Sequence, residues 1–299
     1  MRRYWGLALS GGALRATTHI GVLKVLEEAG LRPDYIAGTS MGSLIGALYA
    51  AGLGSQEITN FLLEDENLLR LFSSSFSLKR LCLLLRGWAK SKLKLQRSAQ
   101  GAPLGLIGGN TFEKVLGTVL GEKTLSDLTL PFAAVAADLN SNKRVIFASP
   151  RYLPGPLPPR SVRTEGRLVE AIRASCSIPG IFAPKIMDEH CLVDGMILDN
   201  LPVEVVRYMG ADVVVAVGVD HIGKKLAPVG NIFEVLTQSV ELMSSEMTQI
   251  RVDEYAQLYI RPLIFDVGHL DLTKIPYCIE RGESAARAAL PQLKKLIRL

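Results

Sequence analysis

Asp34-Tyr35-Ile36-Ala37-Gly38-Thr39-Ser40-Met41-Gly42 runs straight into Ser43-Leu44-Ile45-Gly46-Ala47-Leu48-Tyr49-Ala50-Ala51. The short run from Asp34 to Gly38 reads as a strand, and Met41 to Ala51 as a helix of small and apolar residues suited to close packing on a sheet. Between them lies a G-x-S-x-G sequence formed by Gly38, Ser40 and Gly42. Two glycines around a serine are common by themselves, and an ordinary Gly-rich turn has the same composition. A strand entering and a helix leaving make this one the geometry of a nucleophile elbow. There a strained turn lifts the serine above the sheet, and the glycines let neighbouring backbone pass without clash. The helix N-terminus behind Ser40 also favours negative charge at the hydroxyl oxygen.

Upstream, Tyr4 to Leu9 is a second apolar strand, ended by the turn Ser10-Gly11-Gly12-Ala13 and followed by a helix from about Ala16 to Gly30. Strand, helix, strand, helix predicts an α/β fold with a parallel sheet. Backbone N–H groups in the Gly11-Gly12 turn point at whatever lies above the sheet, where a phosphate or an oxyanion fits. The turn lacks the Lys-Ser/Thr of a P-loop and the third glycine of a dinucleotide fingerprint, which disfavours nucleotides. Two such turns converging at one sheet edge put a serine beside N–H donors, the arrangement acyl transfer needs. Arg15 either braces this loop or meets an anionic head group.

Further along, a helix is expected from Gln56 to about Asp65, then Phe112–Leu120 as a helix and Phe132–Leu139 and Arg144–Ser149 as strands. Pro150–Pro159 reads as a loop, Leu168–Ser175 as a helix, His190–Val193 as a strand, Pro202–Met209 as a helix and Asp212–Val219 as a strand buried on both faces. Ile232, Leu236, Val240, Met243, Met247 and Ile250 step by four and three, an amphipathic helix expected to pack into the core, with an interface as the alternative. Gln257–Ile264 and Ser284–Ile297 close the chain as a strand and a helix.

The 299 residues are 48% apolar and 21% charged, which excludes a disordered chain or a small disulfide scaffold. Cys82, Cys176, Cys191 and Cys278 are far apart with no C-x-x-C spacing, so they read as reduced thiols of a cytoplasmic protein. The apolar run after Met1-Arg2-Arg3 is cut short by Ser10, Gly11 and Gly12, and no stretch reaches membrane-spanning length. A peripheral position at the inner membrane face stays open. No cluster of acids and histidines has metal-ligand spacing, so neither metal nor cofactor is expected. The net charge of +5 arises in one place: Asn67 to Phe112 holds no acid but eight cations, Arg70, Lys79, Arg80, Arg86, Lys90, Lys92, Lys94 and Arg97. One domain over residues 1–299 with an inserted basic lobe at about 67–109 is therefore expected. Leucines and Trp88 among these cations favour an anionic membrane surface over nucleic acid, as a mobile cap beside the Ser40 pocket; a solvated loop is the alternative.

Acyl transfer also needs a base. His19 lies inside the first helix as a packed residue, His190 starts a strand, and His221 and His269 have no motif around them. Asp194 ends a strand and precedes Gly195, a tight turn in which an Asp often bonds its own backbone. The blocks Leu7-Ala8-Leu9-Ser10-Gly11-Gly12-Ala13-Leu14-Arg15, His19-Ile20-Gly21-Val22-Leu23 and Gly38-Thr39-Ser40-Met41-Gly42 closely resemble the patatin-like phospholipases. Asp138-Leu139-Asn140, Ala171 to Pro179 and Asp194-Gly195-Met196 running to Asp199-Asn200-Leu201-Pro202 match the bacterial branch of that family, in the same order.

This resemblance implies a three-layer α/β/α patatin-like fold with a mostly parallel central sheet. It implies a serine acyl hydrolase, a phospholipase, lysophospholipase or esterase, acting on phospholipid or other acyl esters. By the same resemblance Ser40 is the nucleophile, Asp194 the single general base and the Gly11-Gly12 turn the oxyanion hole, with Ala13 and Arg15 beside it. Ser10, Ala13 and Ala16 depart from the family's usual glycines, which leaves loop geometry in question. Asp199 is the fallback base, although its place before Pro202 suits a helix entry better. The alternatives are a Ser-His-Asp α/β-hydrolase using His221 or His269, an acyltransferase of the malonyl-transfer type, and a non-catalytic lipid-binding regulator. An elbow this early argues against the first, and Thr39 in place of a histidine against the second. Head group, chain length and oligomeric state have no signature.

Overall fold

A computed structural model of the chain describes residues 3–64, 104–150, 161–219, 232–265, 267 and 271–298. The expected basic lobe, apart from residues 104–109, lies outside them, as do the Pro-rich stretch after Pro150, His221 and His269. The chain opens with β1 (Trp5–Leu9), α1 (Thr18–Glu28), β2 (Tyr35–Thr39), α2 (Met41–Ala50) and α3 (Ser55–Leu63). Next come β3 (Gly105–Ile107), α4 (Asn110–Leu120), β4 (Phe132–Asp138), β5 (Lys143–Ala148), β6 (Ser161–Arg163) and α5 (Leu168–Ser175). The remainder is β7 (Gly180–Phe182), β8 (Lys185–Met187), β9 (His190–Asp194), α6 (Val203–Tyr208), β10 (Val213–Val217), α7 (Ile232–Tyr255), β11 (Leu258–Ile260) and α8 (Ile275–Arg298).

The main sheet runs β11-β10-β1-β2-β4-β5-β6. Its first five strands are parallel, with Leu9 beside both Val217 and Gly38. Helix crossovers return the chain to one end of the sheet, so the loops after β1 and β2 meet at its C-terminal edge. Strand residues alternate between two packed faces. Leu7, Leu9, Ile36, Phe132, Val215 and Val217 belong to one buried cluster. Ala8, Ala37, Ala133, Val135, Val214 and Ala216 belong to the other. Helices lie on both sides, and burial on both faces explains why the strands read as continuous apolar runs. The expected three-layer α/β architecture is the one observed.

Differences from the sequence reading are local. Strands β3, β6, β7 and β8 have three residues each, too few for a periodicity to register. Helix α8 begins at Ile275 rather than Ser284, because Pro276 and Gly282 break its pattern without breaking the helix. Proline at the first turn needs no N–H partner. Helix α7 is the larger correction. It was expected to bury its apolar stripe in the core, yet Met243 and Ile250 of that stripe are about 70% exposed, Met247 is also exposed, and so is Leu242 beside them. The side that faces the protein carries Ser244, Thr248 and Val252 instead. Charged ties hold it there: Glu241 pairs with Arg15 at 2.6 Å and Arg251 with Asp199 at 3.1 Å. The four-three spacing located the stripe but not the side on which the protein lies.

Candidate active site

Ser40 sits between β2 and α2 at φ 53°, ψ −128°, a backbone conformation that side chains other than glycine rarely adopt. Such a residue stores about 1–3 kcal/mol and persists only where its surroundings over-determine it. Here they do. A Cβ on Gly38 would lie 2.4 Å from the Gly42 carbonyl, and one on Gly42 would lie 2.4 Å from Leu9 O, so both flanking positions admit only glycine. Ser40 N–H donates to Ser175 Oγ at 2.9 Å, and Ser175 Oγ–H donates to Val135 O at 2.6 Å. The start of α2 is closed by Ser43, whose N–H and hydroxyl both donate to Ser40 O.

Asp194 reaches the same place through β4. One edge of β4 pairs with β5 from Ala133 to Asp138. Along the other, Val135 pairs with Thr39 at the end of β2, and the next residue, Ala136, pairs with Asp194 at the end of β9. Successive β4 residues thus hold the elbow strand and the carboxylate side by side. Asp194 is fully buried. Its N–H donates to Ser177 O, and its Oδ1 accepts from Met196 N–H at 2.9 Å. Burial pushes its carboxyl up to about 7, while the Ser40 hydroxyl and Met196 N–H restrain the rise. Among the described residues Oδ2 is buried without a well-formed hydrogen bond. Cys176 abuts this pair. Burial and the Asp194 carboxylate both push its thiol up, so it stays protonated.

The loop after β1 lies against the elbow. A Cβ on Gly11 would be 3.1 Å from Ser40 Cβ. Gly12 has φ 150°, and a Cβ there would lie 2.2 Å from Val219 Cγ2, so this turn too requires glycine. Ala13 follows at φ 49°. Gly11 N–H is engaged by Asn200 O at 3.1 Å, whereas the N–H groups of Gly12 and Ala13 have no partner among the described residues. The loop is braced from three directions. Ser10 Oγ accepts from Val219 N–H at 3.1 Å. His19 Nε2–H donates to Ser10 O at 2.8 Å. Arg15 spans Gly12 O and Glu241. Burial pushes His19 down to about 4 against the pull of its bond to Ser10, which keeps it neutral, a packed residue as the sequence suggested. Arg15 is itself buried, a geometry that matches a brace.

Behind the elbow, Asp199 does not face Ser40. It is ion-paired with Arg144 and Arg251, and Arg144 also holds Glu204 at 2.7 Å. Burial raises its carboxyl and the two guanidinium groups oppose that rise. Its carbonyl accepts from Thr39 Oγ1–H at 2.7 Å, which pins the elbow strand. Asp138 is likewise spoken for. Burial raises it, but bonds from His190, Ser141, Asn140 N–H and Cys191 N–H more than reverse this and hold it well below the carboxylate range. That contact also occupies His190 Nδ1. Arg173 is buried under Phe182 and holds Ser177 and Ala183 O. Ser175, Ser177 and Arg173 were quoted for their resemblance alone, without a role. Arg144 and Arg251 had no sequence signal, being remote charges that only the folded chain brings to Asp199.

A strained serine at the edge of a parallel sheet, beside a glycine loop and a buried aspartate, can be compared with known proteins. The sequence profile described as patatin-like phospholipase matches residues 7–207. Human patatin-like phospholipase domain-containing protein 6 is 32% identical over 71% of this chain, which corresponds to 13% of its own length. An uncharacterized NTE family protein of Mycobacterium tuberculosis is 31% identical over 72% of this chain and 48% of its own. The chain thus matches less than half of the length of either relative. Among solved structures, VipD from Legionella pneumophila superposes with TM-score 0.50 at 13% identity, over 97% of this chain and 67% of its own. Human GIVD cytosolic phospholipase A2 does so with TM-score 0.50 at 15% identity, over 99% and 59%. At those identities the structures speak for the fold alone, but the profile and the relatives speak for descent, and the chain belongs to the patatin-like phospholipase family.

Proposed function

We propose that the chain is a serine hydrolase of lipid acyl esters that works through Ser40 and Asp194 with no histidine. The observation that carries this reading is the pairing of consecutive β4 residues with the elbow strand and with Asp194, which sets a buried carboxylate beside a strained serine. A carboxyl near 7 is half ionised at neutral pH, where a base works best.

Ser40 Oγ attacks the acyl carbonyl carbon while its proton passes to the Asp194 carboxylate. The carbonyl electron pair becomes an oxyanion that the Gly12 and Ala13 N–H groups receive; Gly11 N–H is already engaged by Asn200 O. Collapse breaks the ester C–O bond, and the leaving oxygen takes the proton back from Asp194, leaving an acyl-Ser40. Water repeats the sequence, giving its proton to Asp194 and releasing the fatty acid as Ser40 regains its hydrogen. Each oxyanion donor in such a site is worth about 3–4 kcal/mol of barrier. Arg15 acts here by bracing the loop. The family profile and the phospholipase among the relatives support a lipid ester as substrate.

Purified protein is expected to hydrolyse both a p-nitrophenyl ester and a diacyl phospholipid, and Ser40→Ala to abolish both. Undiminished turnover by Ser40→Ala contradicts the proposal.

A further inference from the structure

Asn200 carries two features that neither the dyad nor the glycine loop uses. Its Oδ1 is buried without a hydrogen-bond partner among the described residues. It also lines the space beside the nucleophile: a Cβ built on Gly11 would lie 2.6 Å from Asn200 Oδ1 and 3.1 Å from Ser40 Cβ. Only the missing side chain of Gly11 keeps that space open between them.

The backbone around Asn200 is fixed on every side. Asp199 is held by Arg144 and Arg251, and its carbonyl takes the Thr39 hydroxyl. The Asn200 carbonyl takes Gly11 N–H, and Leu201 is fully buried. The amide therefore stands on a rigid mount between the elbow and the glycine loop. A carbonyl oxygen desolvated without a donor is costly, and native proteins leave few such groups without a reason. An amide has both an acceptor and a two-hydrogen donor, and a half-turn about its last torsion exchanges them without changing its shape.

We propose that Asn200 is a catalytic residue whose Nδ2–H turns toward Ser40 and donates to the oxyanion, as a side-chain member of a hole otherwise made of backbone N–H groups. This rests on the serine-hydrolase reading above. In the resting site the donor is turned out and Oδ1 faces inward. Negative charge on the acyl oxygen repels Oδ1 and draws Nδ2–H in, so the bond forms chiefly in the transition state, where it accelerates reaction without tightening substrate binding.

The test is steady-state hydrolysis of a soluble p-nitrophenyl ester, with inhibition by an alkyl trifluoromethyl ketone whose serine adduct carries the same oxyanion. For Asn200→Ala the expected result is a kcat lower by about 100- to 1,000-fold with KM little changed. Affinity for the ketone should fall in step, and thermal stability should stay near that of the parent. Asn200→Ser, with a shorter donor, should lose less, and it stands in if Asn200→Ala does not fold. A kcat and ketone affinity both within about threefold of the parent overturn the proposal, as does a loss of kcat without a loss of ketone affinity. Ser40→Ala separates the two readings. If it retains turnover, the hydrolase reading and this one fail together; if it is inactive while Asn200→Ala is not impaired, only this one fails.

Discussion

Asp194 makes the cost of the site measurable. In the unfolded chain its carboxyl ionises near 3.8, whereas burial in the fold holds it up to about 7. The native state therefore keeps a proton that the unfolded state has lost, and stability falls as pH rises from about 4 to about 7. The full difference, on the order of 4 kcal/mol, is present only above pH 7. Asp194→Asn keeps the acceptor for Met196 N–H and removes the ionisation. It is expected to stabilise the protein at pH 8 and by less than half as much at pH 5, read from urea denaturation at each pH. An equal effect at both pH values contradicts a raised carboxyl. In the parent, activity should rise with pH through about 7, because the proposed base acts in its ionised form.

At the scale of elements, the site depends on contacts between segments far apart in sequence. Arg144 on β5 holds Asp199 before α6 and Glu204 within it, and all three are buried. Removing the cation strands two carboxylates, so Arg144→Met should cost about 3–5 kcal/mol in denaturant titration; a loss under about 1 kcal/mol contradicts a buried network. The same distance in sequence explains what could be read beforehand. The elbow was legible because Gly38 and Gly42 are required by backbone only a few residues away, or on the neighbouring strand. β1, β2 and β10 were legible because burial on both faces leaves unbroken apolar runs. Asp194 stood out at a strand end before Gly195, but only the resemblance made it a base, since its approach to Ser40 depends on two strands meeting one edge of β4. The orientation of α7 was misread because its fixing partners, Arg15 and Asp199, lie 226 and 52 positions away from Glu241 and Arg251. Asn200 had no local pattern as a donor.

Across the whole molecule, the question is how a buried serine meets a lipid. No described helix is long and apolar enough to cross a membrane. α7 has 24 residues and so runs about 36 Å, twice the length of a five-residue strand such as β10. Glu241 ties it to the loop beside Ser40, with Leu242, Met243 and Ile250 outward. An apolar ridge beside the site, in a chain whose segment from Asn67 to Phe112 is purely cationic, fits a peripheral position on an anionic lipid surface. Binding to anionic vesicles in sedimentation should weaken as salt rises. Changing Lys90, Lys92 and Lys94 together to Gln should reduce both binding and lipid turnover while sparing a soluble ester. Vesicle binding equal to the parent's by that triple variant contradicts a charge-guided surface. The central proposal is that Ser40 is the nucleophile and Asp194 its base. The most direct measurement is mass spectrometry of the intact protein and of its peptides after reaction with a fluorophosphonate. One adduct is expected, on Ser40, absent from Ser40→Ala and formed far more slowly in Asp194→Asn. An adduct on another residue, or labelling of Ser40→Ala at the parent's rate, contradicts the proposal.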